Sequence, residues 1–328
     1  MFINSMSNIT VVLATYRPNL EYIKKQLISI DNQNYTKLDL IVCDDSDNSS
    51  YFQLIEKILK ETIKNKKFSL IKNEKNIGSN KTFEKLTLLA SGEYIAYCDQ
   101  DDIWEPDKLN KLYKELQDKK ALVCYSDLSI INEKDEKIAD SFKEISKRLE
   151  HIYGENKFDY FIRRNSITGC TMLIDSSTAK SSLPFPDYKV YVHDHWLALF
   201  ASLNGRVAYV KEPLVQYRIH ANNQIGSKIL DGINKRDDYF NKKLLFENEK
   251  VELLKKRKLN RINPQILSSI SDYEEFVQDR INMFNKKNIK NIVKFLKYFP
   301  KDKQLILFEF AIFLLPEYFV KKILQKIK

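Results

Sequence analysis

Ser91-Gly92-Glu93-Tyr94-Ile95-Ala96-Tyr97-Cys98-Asp99-Gln100-Asp101-Asp102-Ile103-Trp104 is the stretch that decides the architecture. Tyr94–Cys98 is a short, β-rich apolar run of strand length, and an acidic cluster follows it at once. The same pattern occurs three times upstream. Ile9–Ala14 is a buried strand ending in Thr15-Tyr16-Arg17, Leu38–Cys43 runs into Asp44-Asp45-Ser46-Asp47-Asn48, and Phe68–Ile71 precedes the polar loop Asn73–Asn80. Helical patterns fill the gaps. Pro18 and Asn19 open a helix with Leu20, Ile23, Leu27 and Ile30 on one face; later helices carry Phe52, Ile55, Ile58 and Leu59, then Phe83, Leu86 and Leu89. This alternation predicts an α/β fold with a mostly parallel sheet and helices on both faces. Ligands bind such sheets off the carboxyl ends of the strands. Three of the four strand ends carry polar clusters, and the topology sets them along one rim.

After residue 120 the pattern changes. Ala121–Ser126, Leu128–Ile131, Thr171–Ile174, Arg206–Val210 and Leu214–Ile219 are short strand patterns, Asn132–Lys137 is a turn, and Trp196–Leu203 is a short helix stopping at Gly205. These predict a mixed, more antiparallel half completing the same domain. Beyond Asn223 the pattern is helical, so the expected organisation is a catalytic domain over 1–223 and a helical region over 224–328.

The chain has 328 residues, 43% hydrophobic and 30% charged, which is globular composition. No apolar run approaches the roughly 20 residues a bilayer span needs. No secretory signal pattern opens the chain. The four cysteines lack zinc-knuckle or redox-pair spacing and sit in apolar stretches, as small buried hydrophobes of a reducing cytosol do. The seven glycines form neither G-x-G-x-x-G nor a phosphate-loop pattern, which disfavours a typical nicotinamide dehydrogenase or P-loop kinase.

The net charge of +10 is uneven. Residues 226–328 hold 23 Lys+Arg against 13 Asp+Glu, and residues 286–328 hold 11 against 3. A neutral body therefore carries a basic tail. Ile289, Ile292, Val293, Phe295, Leu296, Tyr298 and Phe299 alternate with Lys290, Lys294 and Lys297, a pattern suited to a helix lying in an anionic membrane interface or to one packed on the body. Nucleic acid is disfavoured by the scarcity of arginine in the tail.

Four clusters carry chemistry. Asp99, Asp101 and Asp102 repel one another unless a cation or hydrogen-bond donors neutralise them. A hard divalent ion, Mg²⁺ or Mn²⁺, suits them, and a solvated acidic turn is the other reading. Asp45 at a strand end suits a ribose hydroxyl or a base N–H, against an ordinary Asx turn. In His193-Asp194-His195-Trp196 the aspartate is either a helix N-cap or a general base. In Tyr217-Arg218-Ile219-His220, Arg218 suits a phosphate and His220 a metal, against an ordinary strand edge.

Together these clusters resemble the family 2 glycosyltransferases of the GT-A fold, over about residues 8–223, roughly two thirds of the chain. Val12–Arg17 resembles the first nucleotide loop, contributing Thr15, Tyr16 and Arg17. Val42-Cys43-Asp44-Asp45-Ser46 looks like the base-binding turn, which implies that Asp45 meets the nucleobase. Asn76-Ile77-Gly78-Ser79-Asn80 is similar to the loop beneath the donor. Asp99-Gln100-Asp101-Asp102 resembles the Asp-x-Asp motif, which puts Asp99 at the ribose and Asp101, with His220, at the metal. His193-Asp194 is similar to the motif whose aspartate is the catalytic base, although His193 stands where glutamate is commoner. The resemblance also implies Asp102, Trp104, Gly169, Cys170, His193 and Trp196 around the donor and acceptor pocket. Tyr217–His220 followed by Asn222 and Asn223 resembles the ending of bacterial capsule, O-antigen and rhamnan enzymes. The resemblance implies an inverting, metal-dependent transfer from a nucleotide-sugar (deoxythymidine-diphosphate rhamnose first, uridine-diphosphate hexoses next) to a saccharide or undecaprenyl-linked acceptor. The place of action it implies is the cytoplasmic face of the plasma membrane. The rival readings are a membrane-docking protein without catalysis and a nucleotidyltransferase; the second should carry a glycine-rich first loop, which Ala14–Asn19 lacks.

Overall fold

The computed structural model describes residues 6–146, 149–220, 232–259 and 264–327. The chain divides into two units, Met1–His220 and Ala221–Lys328. Asn222 and Asn223 lie outside the described residues.

The first unit carries strands β1 (Ile9–Thr15), β2 (Leu38–Asp44), β3 (Lys67–Lys72), β4 (Tyr94–Cys98), β5 (Ile103–Trp104), β6 (Ala121–Ile131), β7 (Lys137–Ala139), β8 (Met172–Asp175) and β9 (Arg206–Arg218). Its helices are α1 (Leu20–Asp31), α2 (Ser49–Thr62), α3 (Ser79–Leu89), α4 (Lys108–Asp118), α5 (Phe142–Ile145), α6 (Phe158–Phe161), α7 (Ser176–Ser181) and α8 (His193–Asn204). The sheet order is β3-β2-β1-β4-β8-β6-β9-β5, with β7 on β6. β3, β2, β1 and β4 run parallel. β8 then enters antiparallel between β4 and β6, and β9 lies parallel to β6. This is the α/β architecture that the alternation predicted.

Local sequence explains the elements. β1 is apolar on both faces because it is an interior parallel strand between β2 and β4, and Ile9, Val11, Val12 and Leu13 are all buried. Asn19 caps α1, its Oδ1 accepting the N–H of Glu21 at 2.9 Å and of Tyr22 at 3.3 Å. Ile23, Leu27 and Ile30 then face the core. The register pairs Thr15 with Asp44 and Leu13 with Cys98, so the carboxyl ends of β1, β2 and β4 do form one rim.

Two pairs of expected short strands are single long ones. Ala121–Ser126 and Leu128–Ile131 are one strand, β6; Arg206–Val210 and Leu214–Ile219 are another, β9, ending at Arg218. The reason is shared. Asp127 faces Pro213 where the register slips, so the proline, which has no N–H to give a ladder, sits in a bulge instead of ending the strand. The predicted strand Thr171–Ile174 starts one residue later, after a 3₁₀ turn over Gly169–Thr171.

The second unit, among its described residues, is helical: α9 (Arg236–Tyr239), a π-helical stretch Phe240–Leu244, α10 (Leu245–Lys256), α11 (Pro264–Asn285), α12 (Ile289–Leu296), α13 (Lys303–Leu314) and α14 (Glu317–Ile327). A buried ion pair, Arg280 with Glu309, ties α11 to α13, and the Tyr239 hydroxyl donates to the same carboxylate. No described helix is long and apolar enough to cross a membrane.

Candidate active site

The rim at the ends of β1, β2 and β4 gathers most of the expected residues. Thr15 is buried, and its hydroxyl donates to Asp44 at 3.2 Å. Tyr16 and Arg17 project into solvent, with Arg17 held by Asp47 at 2.6 Å. Gln100, inside the acidic cluster, ties this loop down. Its Oε1 accepts the Tyr16 N–H at 2.8 Å and its Nε2 donates to the Tyr16 carbonyl at 3.3 Å.

Asp45 is buried and shapes the next loop. Its carboxylate accepts the N–H groups of Ile77 and Gly78, both at 2.9 Å, and the Asn73 side-chain amide at 2.8 Å. Gly78 has φ +83°, a left-handed conformation that lets the loop turn into α3. Asn76 is exposed on that loop.

At the end of β4, Asp101 Oδ2 lies 2.7 Å from His220 Nε2, which joins the two residues expected at the metal across a sequence gap of 119. Asp99 is partly exposed beside them. Burial, with the charges of Asp101 and Asp194, pushes the Asp99 carboxyl up to about 7. Asp102 is fully buried; one oxygen accepts the Arg218 N–H at 3.1 Å, and the Cys170 thiol lies against its carboxyl. Atoms of Asp99, Asp102 and Cys170 lie within 4.8 Å of one another.

Asp194 sits in the first turn of α8, while Val192 takes the N-cap position without a side-chain bond. The N-cap reading of Asp194 is therefore replaced. Its Oδ2 accepts the Gly169 N–H at 3.1 Å, and its Oδ1 accepts the His195 N–H and, at 3.2 Å, the Asn165 side chain. Burial pushes this carboxyl up to about 6 against those hydrogen bonds. His193 is stacked on Phe83 at 4.2 Å, neither ring nitrogen has a partner, and burial pulls its pKa down to about 3, so the imidazole is neutral. A Cβ on Gly169 would meet His193 Nε2 at 2.8 Å. Gly169→Ala is thus expected to displace the start of α8 and cost about 1–3 kcal/mol, with activity falling further than the melting temperature would explain. Thermal melts beside a rate measurement check this.

Four expected pocket residues have other duties. Arg218, expected at a donor phosphate, has a fully buried side chain. It donates to the carbonyls of Asp101 at 2.8 Å and Asn132 at 3.0 Å, pairs with Asp135, and lies 4.3 Å over Tyr22, so it shapes the Asp101 loop from behind. Asn80 is buried beneath α8, donating to the Tyr191 carbonyl at 2.8 Å and accepting the His193 N–H at 2.9 Å. Trp196 is core, its indole N–H on the Ser182 carbonyl at 2.8 Å. Trp104 is buried in β5 with Lys108 Nζ 3.1 Å over its ring.

Lys108 is the residue sequence reasoning missed. It is fully buried at the start of α4, and its Nζ donates to the Cys170 carbonyl at 2.6 Å. Burial pulls its pKa down to about 7, against the opposing effect of Cys170, Cys98, Asp102 and Asp99 around it. The signal was a cation in the first turn of a helix, where the macrodipole disfavours one. Asn165, which steadies Asp194, left no comparable trace.

Among curated proteins, the chain is 26% identical over 225 residues (68% of this chain, 82% of the other) to the UDP-Glc:alpha-D-GlcNAc-diphosphoundecaprenol beta-1,3-glucosyltransferase WfaP of Escherichia coli. It is 27% identical over 230 residues to the dTDP-rhamnosyl transferase RfbG of Shigella flexneri, covering 66% of this chain and 74% of that one. Among solved structures it superposes on TarS 1–349 of S. aureus, in complex with UDP-GlcNAc, with TM-score 0.56, 16% identity, and 98% and 91% of the two chains covered. That likeness shows the GT-A fold. Residues 10–180 match the family described as glycosyl transferase family 2. With the strand-end rim, the acidic cluster and these relatives in agreement, the chain belongs to glycosyltransferase family 2 and transfers a sugar from a nucleotide-sugar donor.

Proposed function

We propose that this enzyme is an inverting, metal-dependent transferase that moves rhamnose from dTDP-rhamnose, or a hexose from a UDP-hexose, to a saccharide or undecaprenyl-linked saccharide during surface polysaccharide synthesis. The observation that carries the reading is Asp194, a buried carboxyl fixed in the first turn of α8 by the Gly169 N–H and the Asn165 side chain and pushed by burial up to about 6. A base of that proton affinity suits an acceptor hydroxyl at neutral pH. The hydroxyl attacks the anomeric carbon from the side opposite the departing nucleoside diphosphate, through an oxocarbenium-like transition state, and Asp194 receives its proton. Asp45 acts at the nucleotide side by holding the Ile77-Gly78 turn in shape, and Gln100 does the same for Tyr16. The E. coli relative's lipid-linked acceptor favours an acceptor of the same kind here, and with it a place of action at the cytoplasmic face of the plasma membrane.

The cluster's own chemistry fits a hard divalent cation. Asp101 and His220, whose Oδ2 and Nε2 lie 2.7 Å apart, supply a carboxylate oxygen and an imidazole nitrogen, donors that Mn²⁺ or Mg²⁺ accepts. Cys170 is a poor ligand, because burial keeps its thiol protonated. When bound, the ion supplies positive charge for the leaving diphosphate. The test is a thermal-shift screen of UDP, dTDP and GDP with and without Mn²⁺. One nucleotide should raise the melting temperature only with metal. Asp101→Asn should remove the metal-dependent part. No shift with any nucleotide would overturn the reading.

A further inference from the structure

The helices α12 to α14 each bury one side. Phe295 and Tyr298, Ile306, Ile312 and Phe313, and Val320 and Leu324 are in the core of the second unit. The opposite sides are not the charged faces this would normally imply. On α12, Ile289, Val293 and Leu296 recur at i, i+4 and i+7, with Ile289 81% and Val293 63% exposed. Lys290, Lys294 and Lys297 repeat the spacing one residue on, about 100° further round the helix. All three are exposed; Lys297 pairs with Glu275 and Asp279, and Lys294 approaches Asp279 at 3.9 Å. On α14, Tyr318 and Phe319 are exposed beside Lys321, Lys322 and Lys326, and Lys322 lies 4.5 Å over the Tyr318 ring. α13, between them, is apolar nearly all round and leaves Leu307 half exposed.

We propose that the solvent faces of α12 and α14 are a docking surface for an anionic lipid bilayer. Bulky apolar side chains enter the headgroup boundary while lysines beside them meet lipid phosphates. Charge selects this occupant. All 11 basic residues in 286–328 are lysines, against 3 acids, and of those acids Asp302 and Glu309 are buried in caps or pairs. A second copy of the same face would set lysine against lysine. A polyanion with no apolar phase, such as nucleic acid, gives Ile289, Val293 and Phe319 nothing to enter. The inference goes beyond the catalytic reading and does not depend on it.

The experiment is co-sedimentation of the full chain with phosphatidylglycerol–phosphatidylcholine vesicles and with pure phosphatidylcholine vesicles, without sugar nucleotide. Binding is expected to the anionic vesicles only, and to weaken with salt. Val293→Glu with Phe319→Glu, and separately Lys290→Gln with Lys294→Gln and Lys322→Gln, should each lower affinity roughly tenfold or more. These positions are exposed, so melting temperature and nucleotide-induced shift should stay at the parent values. The proposal is overturned if the parent chain stays in the supernatant with anionic vesicles at low salt. It is also overturned if both variants sediment like the parent. A dimer that Val293→Glu dissolves, in a chain that binds no vesicle, would assign the face to a second copy instead.

Discussion

Asp194→Asn is expected to lower the transfer rate by about 10²–10⁴ while leaving the protein folded. The amide keeps the shape and can still accept the His195 N–H, but it cannot take a proton from an acceptor hydroxyl. Two further readouts separate a base from a structural aspartate. The first is the pH profile. Asp194 acts only when ionised, and burial holds it up to about 6, so the parent rate should climb as pH rises through about 6 and level off above. The variant's residual rate should lack that limb. The second is stability. The folded carboxyl ionises less readily than the unfolded one, so its contribution to stability is greatest at low pH and is lost as pH rises through about 6. At neutral pH the variant should therefore melt no lower than the parent, although its Gly169 contact is weakened. An Asp194 present for structure alone would give the reverse, an active enzyme that melts early.

How far this site was legible depended on what kind of feature carried the information. Strand ends were readable because a β-rich run followed by carboxylates is a local pattern, and the registers of β1, β2 and β4 put those ends on one rim. The Asp101–His220 contact became expected only once family resemblance joined residues 119 positions apart. The direction of a side chain was not legible. Arg218 sits at a strand end like a phosphate ligand, yet the 13-residue β9 turns it inward beneath Asp101, where Asp135 and two carbonyls take its charge. Asn80 and Trp196 differ from expectation in the same way: each belongs to or adjoins a motif in sequence, but Asn80 packs beneath the start of α8 and Trp196 is on that helix's buried side. Bulges were invisible for a related reason. Lys211-Glu212-Pro213 has the composition of a turn, and only pairing with β6 across Asp127 shows a continuous strand. The tail's pattern, in contrast, suits both an interfacial and a packed helix, and its helices bury one face while leaving apolar residues and lysines on the other.

Lys108→Met should be the most destabilising single change in the first unit outside its apolar core. An ammonium beside the carboxyls of Asp99 and Asp102 is costly to bury, and it stands against the dipole of α4. Its place is explained by what surrounds it. Nζ gives the Cys170 carbonyl a hydrogen bond at 2.6 Å, lies 3.1 Å over Trp104, and supplies positive charge to Asp99 and Asp102, whose carboxyls burial pushes up. Methionine fills the same volume but removes all three interactions at once, leaving a buried carbonyl unpaired and the acids with no cation behind them. Breaking a buried charge partnership in this way costs about 3–5 kcal/mol, a fall in melting temperature on the order of 10 °C for a domain of this size. The control is one turn along the same helix. Lys111 pairs with Glu212 in solvent, and Lys111→Met should change stability by no more than about 0.5 kcal/mol. If both variants melt together near the parent, the buried ammonium contributes nothing and the acids must be balanced from the solvent side alone. If Lys108→Met melts early while adding Mn²⁺ restores much of the loss, the lysine and the metal neutralise the same acids from opposite sides. The site then has a fixed cation within the fold and an exchangeable one facing the donor.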